Sequence, residues 1–433
     1  MNSSTSSSET SLSAESAIRF SQRGYASADQ PISVLMAQAL AQPDLISLAA
    51  GFVDQTSLPV EIVRAASEKL LSQPEVGAAA LQYGTTAGHS GLRDVICQRL
   101  AEADGISSEG LAARCMVTAG SNQLLHLVAE AILDEGDVVL CAAPTYLVFM
   151  GTLAGVHATS WSVETDHEGM VPESIEATLR QFEEKGELHR VKAIYGVTYF
   201  DNPQGISTTP ARRAAIVEIA KRWSRKHKIY VIDDTAYRDL RYEEQDEPSL
   251  LAYDDMGSHV IETGTFSKSF SPGIRVGWGV IPAELFDVLV QLKGNIDFGS
   301  PNFSQALMAE ILTSGAHEQQ VETLRSAYCE KRDAMLAAME ASFGGKDGVS
   351  WVHPKGGLYV WLSLPEAVKT GPKGQLFDEA IRRGMLYVPG QYCFPAEGVP
   401  GETNTIRLSF GVQSPDRIHE GIASLAAAVG AII

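Results

Sequence analysis

The densest concentration of potential chemistry lies in Thr263-Gly264-Thr265-Phe266-Ser267-Lys268-Ser269-Phe270-Ser271-Pro272-Gly273-Ile274-Arg275. An amine follows an apolar run among hydroxyl groups, and a guanidinium comes seven positions later. A neighbouring cation disfavours the ammonium form of a lysine, and the free amine is a nucleophile able to form Schiff bases. The hydroxyls and Arg275 suit an anion held beside that amine. Three other segments carry weaker signals. Asp233 and Asp234 close the apolar run Ile229-Tyr230-Val231-Ile232, where carboxylates serve as helix caps or as metal ligands. Thr118-Ala119-Gly120-Ser121-Asn122-Gln123 ends an apolar run in small residues and opens a helical pattern, whose free N–H groups and dipole suit a phosphate. Phe200-Asp201-Asn202-Pro203-Gln204-Gly205 reads as a turn.

These segments need a scaffold that gathers them. Short apolar runs at 116–118, 138–141, 191–195, 229–232, 259–263 and 276–280 alternate with helical patterns such as 211–226. That alternation predicts an α/β fold with a mostly parallel sheet covered by helices. In such sheets ligands collect beyond the carboxyl ends of the strands, where most of the polar residues above fall. Strand-like runs at 358–364 and 405–410 lie among helical segments near 320–342, 375–384 and 415–430, which suggests a smaller α+β domain. The expected organisation is a disordered Ser-rich tail over 1–24, a large domain over 51–311, and a small domain from 25–50 with 312–433.

The bulk composition removes several function classes. Lys and Arg total 34 against 53 Asp and Glu, a formal charge of −19, which opposes non-specific binding to nucleic acid or to anionic membranes. Five scattered cysteines indicate neither a disulfide framework nor a zinc knuckle. No apolar run is long enough to span a membrane, and the Ser-rich start has no apolar core of a signal peptide. A reducing cytoplasm is the expected location. Walker-type loops, His-Glu-x-x-His pairs and Gly-x-Ser-x-Gly elbows do not occur.

Taken in order, from Gly120 through Asn202, Asp234-x-x-Tyr237 and Lys268 to Thr405-Ile406-Arg407-Leu408-Ser409-Phe410, the chain resembles the class I/II aminotransferases, pyridoxal-phosphate enzymes of fold type I, over roughly residues 45–430. Pro354-Lys355-Gly356-Gly357-Leu358-Tyr359-Val360-Trp361 is similar to the multisubstrate branch with aminoadipate, kynurenine and aromatic aminotransferases. The resemblance implies a seven-stranded-type sheet in a large domain that binds pyridoxal 5′-phosphate. Lys268 would hold the cofactor as a Schiff base and then carry the proton between carbons. Asp234 would pair with the pyridine nitrogen, Tyr237 and Asn202 would bond to the ring hydroxylate, and Tyr146 would stack on the ring. Gly120, Ser121, Asn122, Thr265, Ser267 and Arg275 would hold the phosphate. Arg407, with Asn202 and the backbone of Gly51, would grip the substrate α-carboxylate. Tyr83 matches a residue that reaches the phosphate of the other subunit, which implies a homodimer with shared active sites; the segment Ser300-Pro301-Asn302-Phe303-Ser304-Gln305 is expected to reach across as well. The partners implied are otherwise small: an L-α-amino acid and a 2-oxo acid.

Departures from the family pattern bear on specificity. Proline is missing shortly after Gly51, where the chain reads Phe52-Val53-Asp54-Gln55-Thr56-Ser57-Leu58-Pro59, and Asn202-Pro203-Gln204-Gly205 replaces the usual Asn-Pro-Thr-Gly. The stretch Pro31-Ile32-Ser33-Val34-Leu35-Met36-Ala37-Gln38 lacks the arginine that binds a second carboxylate in aminoadipate-type enzymes. Apolar or aromatic donors are therefore expected. The same scaffold also hosts lyases, decarboxylases and oxidases. A regulator with an aminotransferase-like sensor is the reading from another class, opposed by the acidic charge and by the Ser-rich stretch where a basic DNA-binding domain would stand.

Overall fold

The computed structural model describes residues 19–26, 31, 35, 42, 44–49 and 51–432. Its centre is a sheet with the strand order Glu397–Gly398, Thr159–Asp166, Val138–Ala143, Val191–Val197, Tyr230–Asp234, Val260–Thr265, Gly277–Val280 and Cys115–Thr118, with Gly169–Met170 paired antiparallel to Thr159–Asp166. Neighbours are parallel except around Gly277–Val280, which runs antiparallel to both strands beside it. The four central parallel strands, Val138–Ala143, Val191–Val197, Tyr230–Asp234 and Val260–Thr265, are buried on both faces, as a sheet covered on two sides requires. Val138, Val139, Leu140, Ala193, Ile194, Val231, Ile232, Val260 and Ile261 are all buried. The helices Ser121–Ile132 and Ala283–Asp297 pack on one another, and so do Pro172–Glu184 and Pro210–Trp223.

A second sheet, entirely antiparallel, has the order Ser350–Trp351, Tyr359–Ser363, Thr405–Ser409, Val388–Pro389. The 28-residue helix Ala316–Phe343 packs against Pro415–Gly430. Ile46–Ser47 pairs in parallel with Met385–Leu386, so the described part of the early chain joins these late elements.

Three expectations are corrected. The helix Asn302–Thr313 runs through the expected boundary at 311/312 and packs on Val60–Leu71 and Ser90–Asp104. Glu397–Gly398 leaves the late elements and adds an edge strand to the central sheet at Trp161 and Ser162. The expected tail stops short of 24, because Gln22–Ala26 is helical and packs on Leu147–Gly155, with Arg23 paired to Glu130 at 3.0 Å. Residues 1–18 and most of the apolar stretch 31–38 lie outside the described residues. Among the described residues no helix is long and apolar enough to cross a membrane, and the five cysteines are free.

One close contact locks the sheet to the start of a helix. A Cβ on Gly277 would lie 2.5 Å from both the carbonyl carbon of Gly120 and the N of Ser121. Backbone cannot rotate away as a side chain can, so the strand and the helix start must separate. Gly277→Ala should cost about 1–3 kcal/mol in denaturant unfolding, with a matching loss of anion affinity at Gly120–Ser121. Unchanged stability would show that this contact is looser than described.

Candidate active site

The candidate residues converge because each follows a strand on the same edge of the sheet. Gly120 follows Cys115–Thr118, Tyr146 follows Val138–Ala143, Asn202 follows Val191–Val197, Asp234 ends Tyr230–Asp234, and Lys268 follows Val260–Thr265. They line a cavity of about 180 Å³ that includes Gly120, Ser121, Asn122, Tyr146, Asn202, Asp234, Tyr237, Thr265, Ser267, Lys268 and Arg275.

At one end is an anion cradle. Gly120 has φ +91, a backbone state that L side chains rarely adopt, and it opens the helix Ser121–Ile132 without a side-chain cap. The helix therefore presents uncapped N–H groups and the positive end of its dipole. Ser267 N–H donates to Thr265 Oγ1 at 3.2 Å, and the two hydroxyls bond at 2.9 Å. Arg275, at φ +52, donates to the carbonyl of Ala119 at 2.9 Å and reaches Ser267 Oγ at 3.5 Å. No carboxylate pairs with it among the described residues. A Cβ on Gly120 would sit 2.7 Å from Arg275 Nη2, so the space is shaped around the guanidinium. This cradle fits the phosphate of pyridoxal phosphate.

At the other end is the carboxylate. Strand alternation sends Asp233 and Asp234 to opposite faces. Asp233 turns away from the cavity and is consumed in structure, accepting from Thr198 Oγ1 at 2.5 Å and Leu250 N–H at 3.0 Å. Asp234 lines the cavity, is 3% exposed, and accepts from Tyr195 Oη at 3.2 Å and Ala236 N–H at 3.2 Å. Burial pushes its carboxyl up to about 7 against those two hydrogen bonds. An acid so placed gains most from a cationic partner, as a protonated pyridine nitrogen would be.

Between the two ends stands the amine. Lys268 Nζ donates to the carbonyl of Gly51 at 2.6 Å. Burial lowers its pKa; the Tyr359 hydroxyl opposes this, while Arg407 and Arg275 lower it further. Arg407 is 2% exposed, and donates to Asn202 Oδ1 and to the carbonyl of Ala49, both at 2.8 Å. Its Nε has no partner among the described residues. It is not a surface ion pair: among the described residues no carboxylate meets it. Tyr146 Oη donates to Asn122 Oδ1 at 3.4 Å, and burial lifts its hydroxyl to about 12.

The structure brings these residues together and leaves two candidates outside. Tyr83 is 80% exposed, with its ring edge-to-face on Phe298 at 5.7 Å, and does not line the cavity. In the segment 300–305, Ser300 and Gln305 bond internally through Gln305 Nε2 and the Ser300 carbonyl at 2.8 Å. Two further residues carry no separate signal in the sequence, because each sits inside an apolar strand run. Tyr195 supports Asp234. Tyr359 lies 3.2 Å from Tyr237 through the two hydroxyls, with its ring centroid 4.5 Å from the Arg407 guanidinium carbon. The proline-free loop after Gly51 is braced by Asp54, which accepts from Thr56 Oγ1 and Ser57 Oγ at 2.7 Å each and pairs with Lys331 at 3.2 Å.

The family model for class I and II aminotransferases matches residues 43–425. The aromatic-amino-acid aminotransferase 1 of Thermococcus litoralis is 32% identical over 383 residues, covering 88% of this chain and 87% of that protein. The 2-aminoadipate transaminase of Thermus thermophilus is 33% identical over 395 residues, covering 90% and 92% respectively. Among solved structures, the kynurenine aminotransferase of Pyrococcus horikoshii superposes with a TM-score of 0.87 at 31% identity, over 96% of this chain and 97% of that one.

The raised pKa of Asp234 carries a stability signature. The folded, cofactor-free chain holds this proton to about pH 7, whereas an unfolded aspartate releases it near ~4. Stability is therefore lost as pH rises between these values. Asp201 is also pushed up to about 7, so the slopes of variant and parent must be compared. Cofactor-free Asp234→Asn should lose less stability between pH 5 and 8 than the parent, by up to ~3 kcal/mol, in urea titrations at each pH. Identical slopes would mean that Asp234 is charged in the empty site.

Proposed function

The chain belongs to the class I and II aminotransferases and is a pyridoxal 5′-phosphate-dependent transaminase, and on that premise we propose that it takes the amino group of an apolar or aromatic L-α-amino acid and passes it to a 2-oxo acid at the cavity around Lys268. The observation that carries this reading is Arg407, a buried guanidinium whose Nε has no partner and which meets no carboxylate among the described residues. Burying such a charge is costly unless a ligand neutralises it, and a substrate α-carboxylate does so with paired hydrogen bonds.

When bound, the cofactor supplies an electron sink for bond changes at the substrate α-carbon. Arg407 and Asn202 orient the carboxylate, which fixes the α-carbon within reach of Lys268 Nζ. The lowered pKa of that amine suits it first as nucleophile and then as the base that takes and returns the α-proton. Tyr195 and Ala236 hold the Asp234 carboxylate facing the cavity, where it would stabilise a protonated ring nitrogen of the bound cofactor. Two unit charges about 4 Å apart at an effective dielectric near 20 interact by about 4 kcal/mol. The cradle of Gly120, Ser121, Asn122, Thr265, Ser267 and Arg275 would anchor the cofactor's phosphate.

The named activities of the relatives span aromatic amino acids, kynurenine and 2-aminoadipate. Arg275 is the one arginine among the residues lining the cavity, with Arg407 behind Asn202, which favours uncharged donor side chains over dicarboxylic ones. The working unit is a homodimer: the exposed rings of Tyr83 and Phe298 meet edge-to-face, an apolar pair of the kind that marks an interaction surface, and Tyr83 of each subunit completes the other's phosphate site. The acidic surface disfavours nucleic acid, and the free thiols favour a reducing cytoplasm.

Aromatic and aliphatic amino acids, each supplied alone, should bleach the yellow holoenzyme and release one equivalent of 2-oxo acid per site. Continued product release would indicate a lyase, and a response to dicarboxylic amino acids alone would refute the specificity. Lys268→Ala should abolish this half-reaction. Arg407→Ala should retain cofactor but lower kcat/KM roughly 10²–10³-fold, the scale of losing a buried charged pair; a change confined to kcat would remove Arg407 from carboxylate binding.

A further inference from the structure

We propose that Tyr359 is the positioning residue of this site, its single hydroxyl orienting the Tyr237 hydroxyl and setting the packing distance of the Gly51 loop, while its ring backs Arg407. The inference rests on the reading of Tyr237 and Lys268 given above, and it concerns a residue outside the set that reading uses.

Tyr359 opens the strand Tyr359–Ser363, which pairs with Thr405–Ser409 so that Trp361 lies opposite Arg407 and Tyr359 opposite Ser409. The register places Tyr359 two positions from the arginine's partner, and its ring reaches diagonally under the guanidinium, with the arginine carbon 4.5 Å from the ring centroid. One guanidinium face is thereby closed, and a carboxylate must approach by the edge. The ring is packed against Arg407, and the hydroxyl reaches further site residues.

That hydroxyl has two neighbours of consequence. Tyr237 Oη lies 3.2 Å away, and either oxygen could donate. A phenol has one proton. If Tyr237 donates its own to the cofactor's ring oxygen, Tyr359 must donate to Tyr237, and a hydroxyl that accepts a hydrogen bond donates more strongly. The second neighbour is Gly51. A Cβ there would lie 2.3 Å from Tyr359 Oη but 3.4 Å from Cζ, so the obstacle is the oxygen alone. Gly51 does not occupy the left-handed region, and its glycine is required by this hydroxyl rather than by its backbone conformation. The Gly51 carbonyl in turn accepts from Lys268 Nζ. One oxygen atom thus touches a ring-oxygen donor on one side and the lysine's backbone partner on the other.

Tyr359→Phe removes the oxygen and keeps the ring. In the pH titration of the holoenzyme's visible absorbance, the Lys268–cofactor linkage should hold its proton to higher pH in Tyr359→Phe, by about half a unit, with a larger rise in Tyr237→Phe. Cofactor dissociation, followed by fluorescence, should show Gly51→Ala severely weakened in the parent and largely rescued in the Tyr359→Phe background. If Tyr237→Phe causes no shift, the underlying reading of Tyr237 fails. A clear shift in Tyr237→Phe with none in Tyr359→Phe overturns the inference about Tyr359, as does a Gly51→Ala defect of equal size in both backgrounds.

Discussion

An uncompensated buried charge is what the rest of this structure must support. Arg407 lies out of water with no carboxylate beside it among the described residues, and Lys268 sits near enough to Arg407 and Arg275 that both lower its pKa. Three cationic groups around one cavity repel each other, and Asp234 does not relieve them, since burial raises its own pKa to about 7. Such an arrangement detracts from stability and persists only in a scaffold that over-determines it. Its compensation comes with ligands: a phosphate at Arg275 and a carboxylate at Arg407 would each neutralise one cation, and a ring cation at Asp234 would draw that acid into its charged form.

The scaffold meets that demand through the sheet. Parallel strands end on the same edge, so five strand ends deliver Gly120, Tyr146, Asn202, Asp234 and Lys268 to one cavity although the chain separates them by up to 148 positions, from 120 to 268. The reversed strand Gly277–Val280 returns the chain from Arg275 and brings the guanidinium back beside Gly120. The antiparallel sheet adds Arg407 and Tyr359 from the other side of the cavity, joined to it through Asn202 and Tyr237. The site is therefore formed where two sheets meet, and small shifts between them would alter carboxylate binding before they disturbed the cofactor cradle.

Much of this was legible beforehand because it depends on residue type and spacing. A lysine after an apolar run, an Asp-x-x-Tyr and a glycine opening a helix are local facts, and the alternation of strand and helix patterns is local as well. Contacts between distant segments were not legible. The choice between Asp233 and Asp234 rests in the sequence on a spacing, and in the fold on which face of the strand each occupies. Tyr195 and Tyr359 read as ordinary aromatic residues of apolar strands, since nothing local distinguishes a packed ring from one whose hydroxyl reaches a site. The missing proline after Gly51 is visible as a departure, but its replacement by Asp54 and Lys331 joins residues far apart in the chain.

The sequence by itself thus determined the chemical inventory and its order: an amine, its acid, a phosphate turn and a guanidinium, carried on an alternating α/β pattern. Only the tertiary structure decided which hydroxyl faces which, which carboxylate enters the cavity, and that Arg407 meets no carboxylate among the described residues. The physical reason is that periodicity and residue type act over a few neighbouring residues, whereas desolvation and hydrogen-bond partnership are set by whatever the fold packs against a group.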